Sequence, residues 1–316
     1  SVTIGGGQLA VFDPASGTRI LFRQYPSIYG VELLGVAAAQ TVVVRVRDNA
    51  TSQTQSLRLL TLPSLDLSGP LVPLADGNDY TWMTGGRVFI WRNPLTPASS
   101  PLYSVDATTL QPTAGWQPPQ LSNGQLNDVA KAGSRVFLAG LGGSMTVNGQ
   151  LQPVVAVLDA STGAIDATWT PPSFSLGSGA IRLLSDGTRL FMEGGFRLVS
   201  GQPRMGWIAI DATSGALQAW APTVTRDPYR DLVRTPNFIV ASNVTGVSGV
   251  RRNGLALIDR NTGSLLPADP MSTLPAADAS VWTLAVNSTH VYVAIQEPRT
   301  GFATIRRLLR SSLVWD

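Results

Sequence analysis

GQPRMGWIAIDATSGALQAWAP, residues 201–222, is the stretch on which the fold turns. GWIAID (206–211) reads as an apolar strand that ends in Asp211; DATSG (211–215) follows, with Gly215 four residues after the Asp, and ALQAW (216–220) returns as a further strand before Pro222. An Asp carboxylate accepts backbone N–H bonds in a turn, and Gly takes positive φ without steric cost, so the Asp and Gly together predict a tight reversal. Upstream, AIRLLS (180–185) and TRLFMEG (188–194) flank Ser185–Gly187, SDG, which is a second hairpin signal. Four antiparallel strands are thus predicted within about fifty residues, the length of one repeat in a repeated β-architecture.

The same phrase recurs along the chain. LAVFDPASG at Asp13, VAVLDASTG at Asp159 and LALIDRNTG at Asp259 repeat the apolar strand, the Asp and the Gly. YSVDATTL at Asp106 keeps the Asp with Leu110 in the Gly place, and LRLLTLPSL with Thr61 and RRLLRSSL with Arg310 fit as degenerate copies. Anchors at 13, 61, 106, 159, 211, 259 and 310 are 48, 45, 53, 52, 48 and 51 residues apart. That period is the length of a four-stranded propeller blade, and seven anchors predict a seven-bladed β-propeller of four-stranded antiparallel blades in a single domain over residues 1–316. Trp116, Trp169 and Trp220 each follow their Asp by nine or ten residues and stand in WQPP, WTPP and WAP. They are read as wedges between neighbouring blades, with the Pro ending the strand.

Composition agrees with a β-rich globular chain. Of 316 residues, 44% are hydrophobic and 14% charged, with 31 Gly and 22 Pro, which suits many short strands and disfavours long helices. The net charge is only +3 and is not gathered into a basic stripe, which argues against a nucleic-acid partner. Lys131 is the only lysine among 23 basic residues, an arginine bias typical of GC-rich bacterial codons. Absence of cysteine excludes disulfides and thiolate chemistry, and a single histidine, His290, excludes a His-rich metal cluster. The longest apolar run, Leu33 to Val44, carries Gln40 and falls short of a membrane span.

Residues 201–222 and NGQLQPVVAVLDASTGAIDATWTPP (148–172) resemble the repeat units of bacterial quinoprotein-like propellers, including the delta-60 repeat type. The likeness is strongest over residues 125–270. It implies a secreted or envelope protein, extracellular, at the cell surface or periplasmic, commonly acting as a non-catalytic module without cofactor. Related quinone-dependent alcohol dehydrogenases share the blade signature, yet their acidic base and calcium ligands have no counterpart that can be placed here. Only twelve residues precede Asp13, so the first blade is expected to lack an inner strand and the propeller to be cut from, or embedded in, a longer chain.

Candidate binding residues lie in loops on such a scaffold. TRDPYRDLVR (225–234) supplies Arg226, Asp227, Tyr229, Arg230, Asp231 and Arg234, and blade adjacency adds Arg197, Arg204, Arg251 and Arg252. Arginine forks beside tyrosine suit a partner protein's acidic patch, or carboxylated and sulfated ligands, although alternating charges also form solvated ion pairs that bind nothing. Tyr25 and Tyr29 in RQYPSIYG, with Tyr80 and Trp82 in DGNDYTW, are candidates for stacking on sugar rings. Asp76, Asn78 and Asp79 resemble a fragment of an oxygen-rich calcium loop, but the spacing lacks the glycine and the distal glutamate of an EF-hand, so they are read as a turn. No P-loop, G-x-S-x-G or H-E-x-x-H is present, and Glu occurs only at 32, 193 and 297, so no catalytic residue and no metal site is assigned. The expected function is a protein-interaction or architectural module in an envelope assembly. The alternatives are a glycan-binding or small-ligand lectin-like propeller, and then a quinone- or calcium-dependent enzyme.

Overall fold

Antiparallel hairpins build the chain from one end to the other. The structure, a computed structural model, describes residues 2–4, 8–12, 19–25, 28, 30–47, 54–74, 79–92, 99–141, 145–175, 179–226, 231–274, 280–296 and 303–315. Two compact units are formed, one from residues 1–136, 145–152 and 157–166, the other from 137–144, 153–156 and 167–316.

In the first unit, β1 (Val2–Ile4), β2 (Gln8–Phe12) and β3 (Arg19–Gln24) form one sheet, and β4 (Gly30–Ala38), β5 (Thr41–Arg47), β6 (Gln55–Thr61) and β7 (Asp66–Leu74) form the next. Then come β8 (Asp79–Thr84), β9 (Arg87–Arg92) and β10 (Ser100–Asp106), followed by β11 (Gln120–Ser122). β12 (Gln125–Ala132), β13 (Arg135–Leu141) and β16 (Val155–Asp159) form the next sheet, with β14 (Met145–Val147) and β15 (Gln150–Gln152) inserted. The second unit continues with β17 (Ala180–Ser185), β18 (Arg189–Gly194) and β21 (Trp207–Asp211), carrying β19 (Leu198–Val199) and β20 (Gln202–Pro203) as an insertion. β22 (Val224–Arg226) leads to β23 (Leu232–Arg234), β24 (Phe238–Ser242) and β27 (Leu255–Asp259), with β25 (Val244–Val247) and β26 (Val250–Arg251) inserted, and the last sheet is β28 (Ser280–Val286), β29 (His290–Gln296) and β30 (Ala303–Leu309).

Within each unit the apolar side chains gather between consecutive sheets. Leu9 and Tyr25 of the first sheet pack with Val42, Val44, Val46 and Leu60 of the second, and Val43, Leu57 and Leu59 on the other face meet Val88, Ile90 and Val105 of the third. Likewise Phe191, Trp207 and Ala209 meet Ile239, Ala241 and Ile258, while Val240 and Leu257 meet Val291, Val293 and Leu308. A middle strand covered on both faces needs apolar residues at successive positions, which is why β9 reads VFIW and β24 FIVA without alternation.

The repeated turn is present in six described copies. Leu65, Leu110, Gly163, Gly215, Gly263 and Leu313 have φ between +54° and +79°. Each donates its N–H to the carbonyl four residues earlier at 2.8–3.0 Å. The acceptor in the last copy is Leu309, so the seventh anchor lies one residue before Arg310, as the bridge between Leu308 and Trp315 also requires. Asp13 lies outside the described residues. In four copies the carboxylate completes the turn: Oδ1 of Asp106, Asp159, Asp211 and Asp259 accepts the N–H groups two and three residues on, at 2.7–3.0 Å.

One further expectation is corrected. Among the described sheets a complete fourth strand follows the anchor only in the first two, as β3 and β7; elsewhere the fourth strand is a single bridge, such as Leu158 with Ile165, Ile210 with Leu217 and Ile258 with Leu265. In two of these the residue after the bridge gives its carbonyl to an arginine instead of the ladder, Gln218 to Arg204 and Leu266 to Arg252. In the first sheet β2 leads to Asp13 and β3 follows it, so β2 occupies the third-strand place and no innermost strand is found among the described residues.

The tryptophans explain the glycines. Trp116, Trp169 and Trp220 are buried and meet Phe89, Phe137 and Phe191 edge-on at 5.0–5.6 Å. The glycine turn of the following repeat lies on each of them. A Cβ on Gly163 would stand 2.5 Å from the Gln117 carbonyl oxygen, one on Gly215 2.0 Å from the Thr170 carbonyl oxygen, and one on Gly263 3.3 Å from the Trp220 ring. Where the preceding repeat has no tryptophan at this place, leucine takes the turn. A left-handed leucine costs about 1–2 kcal/mol, whereas burying its side chain returns about 1.5–3 kcal/mol, and Leu65 and Leu110 are fully buried.

Candidate interaction surface

Three successive repeats insert a small hairpin between their second and third strands. β14–β15 turns at Asn148-Gly149, β19–β20 at Ser200-Gly201 and β25–β26 at Ser248-Gly249, with φ of +48° or +49° followed by +73° to +84°. Two consecutive left-handed residues make the type I′ turn that matches strand twist. Val147, Val199 and Val247 just before the turns are buried and hold each hairpin down. The segment after each Trp-x-Pro pairs with the hairpin of the next repeat: β11 with β14, Phe174 with Val199, and β22 with β25. The turn N–H of Asn148, Ser200 and Ser248 donates to Gln120, Ser173 and Thr223 at 2.7–2.8 Å. The sequence reading missed these hairpins; V-N-G at 147–149 and V-S-G at 199–201 and 247–249 are the signal that reveals them.

The expected arginine face divides into anchored and outward groups. Arg204 and Arg252 occupy equivalent places after their hairpins. Arg204 Nη2 donates to the Gln218 carbonyl at 3.3 Å, and Arg252 Nη2 to the Leu266 carbonyl at 3.0 Å, so both tie a hairpin to the bridge strand of its own repeat. Each also bonds the carbonyl just before it, Pro203 or Arg251, at 2.9–3.0 Å. Asp231 is structural as well: its Oδ2 accepts the Leu284 N–H at 3.0 Å, and its carbonyl accepts from Ser242. Arg234 lies half-buried in β23, and Arg226 closes β22 opposite Val244. Asp227, Tyr229 and Arg230 lie outside the described residues. Arg197 and Arg251 are exposed, and their guanidinium groups meet no hydrogen-bond or ion-pair partner among the described residues. Beside them Leu198, Met205 and Val250 are also exposed, at 46%, 67% and 49%.

The remaining candidates are placed as follows. Tyr25 is buried and donates its hydroxyl to the Leu65 carbonyl, and Tyr29, Asp76 and Asn78 lie outside the described residues. Tyr80 is 40% exposed with its ring within 15° of parallel to Trp82, whose Nε1 donates to the Asn127 carbonyl at 3.2 Å. Asp79 is buried beside Arg92 at 3.2 Å. His290 sits in a hairpin, with Nδ1 2.8 Å from the Thr289 hydroxyl. The repeated carboxylates are held ionised as turn acceptors. The Ser161 hydroxyl and then the Thr162 N–H pull Asp159 down to about 2, and the Thr108 hydroxyl and the Thr262 N–H lower Asp106 and Asp259. Among the described residues no group of three or more His, Asp or Glu side chains suits a metal ion, and no helix is long and apolar enough to cross a membrane.

No protein-family model matches the sequence, and no curated protein matches it. Solved structures do. The computationally designed Ika8 protein aligns with a TM-score of 0.52 at 13% identity, over 96% of this chain and 78% of its own. The fold is of the β-propeller type. A prolyl endopeptidase structure also reaches a TM-score of 0.52 at 13% identity, over 90% of this chain and 40% of that one. BamB from Moraxella catarrhalis aligns at 0.48 and 12% identity over 96% of this chain and 89% of its own. Such identities speak for architecture alone.

Proposed function

We propose that this propeller is a non-catalytic protein-interaction module of a bacterial secreted or cell-envelope protein, seven-bladed and of the delta-60 repeat type. The observation that carries the reading is the iterated hairpin. Three repeats build the same projecting element with the same turn, the same buried valine and the same strand from the preceding repeat. Each projects an aliphatic side chain outward, Leu151, Leu198 or Val250, and two of them adjoin arginines, Arg197 and Arg251, that meet no partner among the described residues. Apolar groups with arginine on a rigid scaffold are the composition of a protein-binding surface. The repeating acidic groups are engaged in turns, which supports a role without acid–base chemistry.

The test is affinity capture from an envelope fraction with the intact chain as bait, followed by reconstitution with the purified partner. The control bait carries Arg226, Arg230 and Arg251 changed to Ala. A single protein retained by the native bait, rebinding when purified and lost from the control, is the expected result. Retention of glycans alone favours the second reading, to which the parallel Tyr80 and Trp82 rings belong. Turnover of a substrate or a co-purifying chromophore overturns both.

A further inference from the structure

Resting on the interaction reading, we infer that the surface formed by β19–β20, β22 and β25–β26 takes an acidic, aliphatic-bearing peptide segment of a partner protein. These elements are continuous within one unit of the chain. β22 pairs with β25 and β25 with β26, while Gly206, just before β21 and three residues past β20, neighbours the Val224 carbonyl of β22, since a Cβ there would be in ordinary contact with it at 3.7 Å. Residues 196–206, 222–225 and 244–254 carry Arg197, Arg204, Arg251 and Arg252 and no Asp or Glu. In a chain with 23 basic and 20 acidic residues, that is a local one-sided field rather than a mixed surface.

The arrangement differs from a chance cluster in how its arginines are divided. Arg204 and Arg252 have their forks on backbone carbonyls inside the fold and still contribute positive charge from fixed positions. Arg197 and Arg251 are exposed, and their guanidinium groups meet no partner among the described residues, so their forks suit a carboxylate of a bound peptide. Leu198 lies across the strand pair from Pro203, and Val250 follows the Ser248-Gly249 turn, so apolar area adjoins each exposed arginine. Such alternation suits Asp or Glu interleaved with Leu, Ile or Val. A sulfated glycan has charge but no aliphatic side chains for Leu198, Met205 and Val250, and a single-stranded nucleic acid needs exposed aromatic rings, whereas these described segments expose aliphatic groups.

A random-peptide display library selected on the 316-residue chain tests the inference, with heparin as a separate probe of sulfated glycan. The inference expects enriched peptides rich in both acidic and aliphatic residues. Their affinity should fall about tenfold or more for the Arg197→Glu/Arg251→Glu double variant, and also when salt rises from 50 to about 500 mM. Leu198→Asp should weaken them as well, and circular dichroism should show all variants folded, since these side chains are exposed. Enrichment of neutral or basic peptides that are still lost on Leu198→Asp overturns the acidic partner and leaves the interaction reading standing. Heparin binding without any enriched peptide, or peptides indifferent to all three substitutions, overturns both.

Discussion

Gly215 and Trp169 meet across two repeats, and that contact fixes which residue each position accepts. The Cβ missing from Gly215 would be 2.0 Å from the Thr170 carbonyl oxygen, and the backbone is at φ +76°. Gly215→Ala therefore combines left-handed strain with a backbone clash, and is expected to cost about 3 kcal/mol or more. Gly149→Ala is the control: φ is +77° there, but no atom lies within 4 Å of the added methyl, so only about 1–2 kcal/mol of strain is expected. Urea midpoints of the two variants separate packing from backbone strain; equal losses would refute the close contact. The tryptophans differ among themselves. Trp220 Nε1 donates to the Asp259 carbonyl at 3.0 Å, whereas the buried Trp169 Nε1 has no acceptor among the described residues. Trp220→Phe should thus lose about 1–2 kcal/mol more than Trp169→Phe in the same denaturation series, because only the first leaves a carbonyl without its donor.

Hairpins and bridges set the limits of what could be read from the chain at the scale of elements. The three full strands of the best repeat, AIRLLS, TRLFMEG and GWIAID, are legible because apolar runs end at Asp, Ser and Gly with known turn chemistry. ALQAW is not the strand it resembles, since only Leu217 pairs and Gln218 then gives its carbonyl to Arg204. Long-range competition of that kind leaves no local trace. The inserted hairpins were legible in principle from V-N-G and V-S-G, but strands of two to four residues are too short for periodicity to show. Arginine identity alone could not separate Arg251 from Arg252, neighbours whose side chains leave the strand on opposite sides. Arg252→Ala is expected to destabilise by about 1–3 kcal/mol, since the Leu266 and Arg251 carbonyls lose their donor at a site that is only 8% exposed. Arg251→Ala should change stability by less than about 0.5 kcal/mol. Thermal denaturation of both variants checks the division into anchored and outward groups on which the binding surface depends.

The whole molecule repeats one electrostatic device, so its response to acid is a property of the set. Asp106, Asp159 and Asp259 lie below their ordinary value because hydroxyl and N–H donors stabilise the ionised form, with Asp159 at about 2. Asp186 is also lowered: burial opposes ionisation there, but the N–H groups of Arg189 and Thr188, their side chains included, outweigh it. A carboxylate depressed in the folded state holds fewer protons than the same group in the unfolded chain, whose value is about 3.9. The stabilisation is therefore complete above the unfolded value and is lost as pH falls through the folded one. The melting temperature is expected to change little on these groups' account between pH 8 and about 5, and to drop steeply from about 4 towards 2. Asp159→Asn keeps an oxygen acceptor for the turn but removes the charge. The variant should melt below the native chain at pH 7, and the two curves should converge as pH approaches 2, where Asp159 itself is half protonated. A gap that stays constant over that range would show that the charge of Asp159 contributes nothing and that the turn is held by geometry alone. Convergence would show that the residues which mark the repeat in the sequence also set the acid limit of the fold.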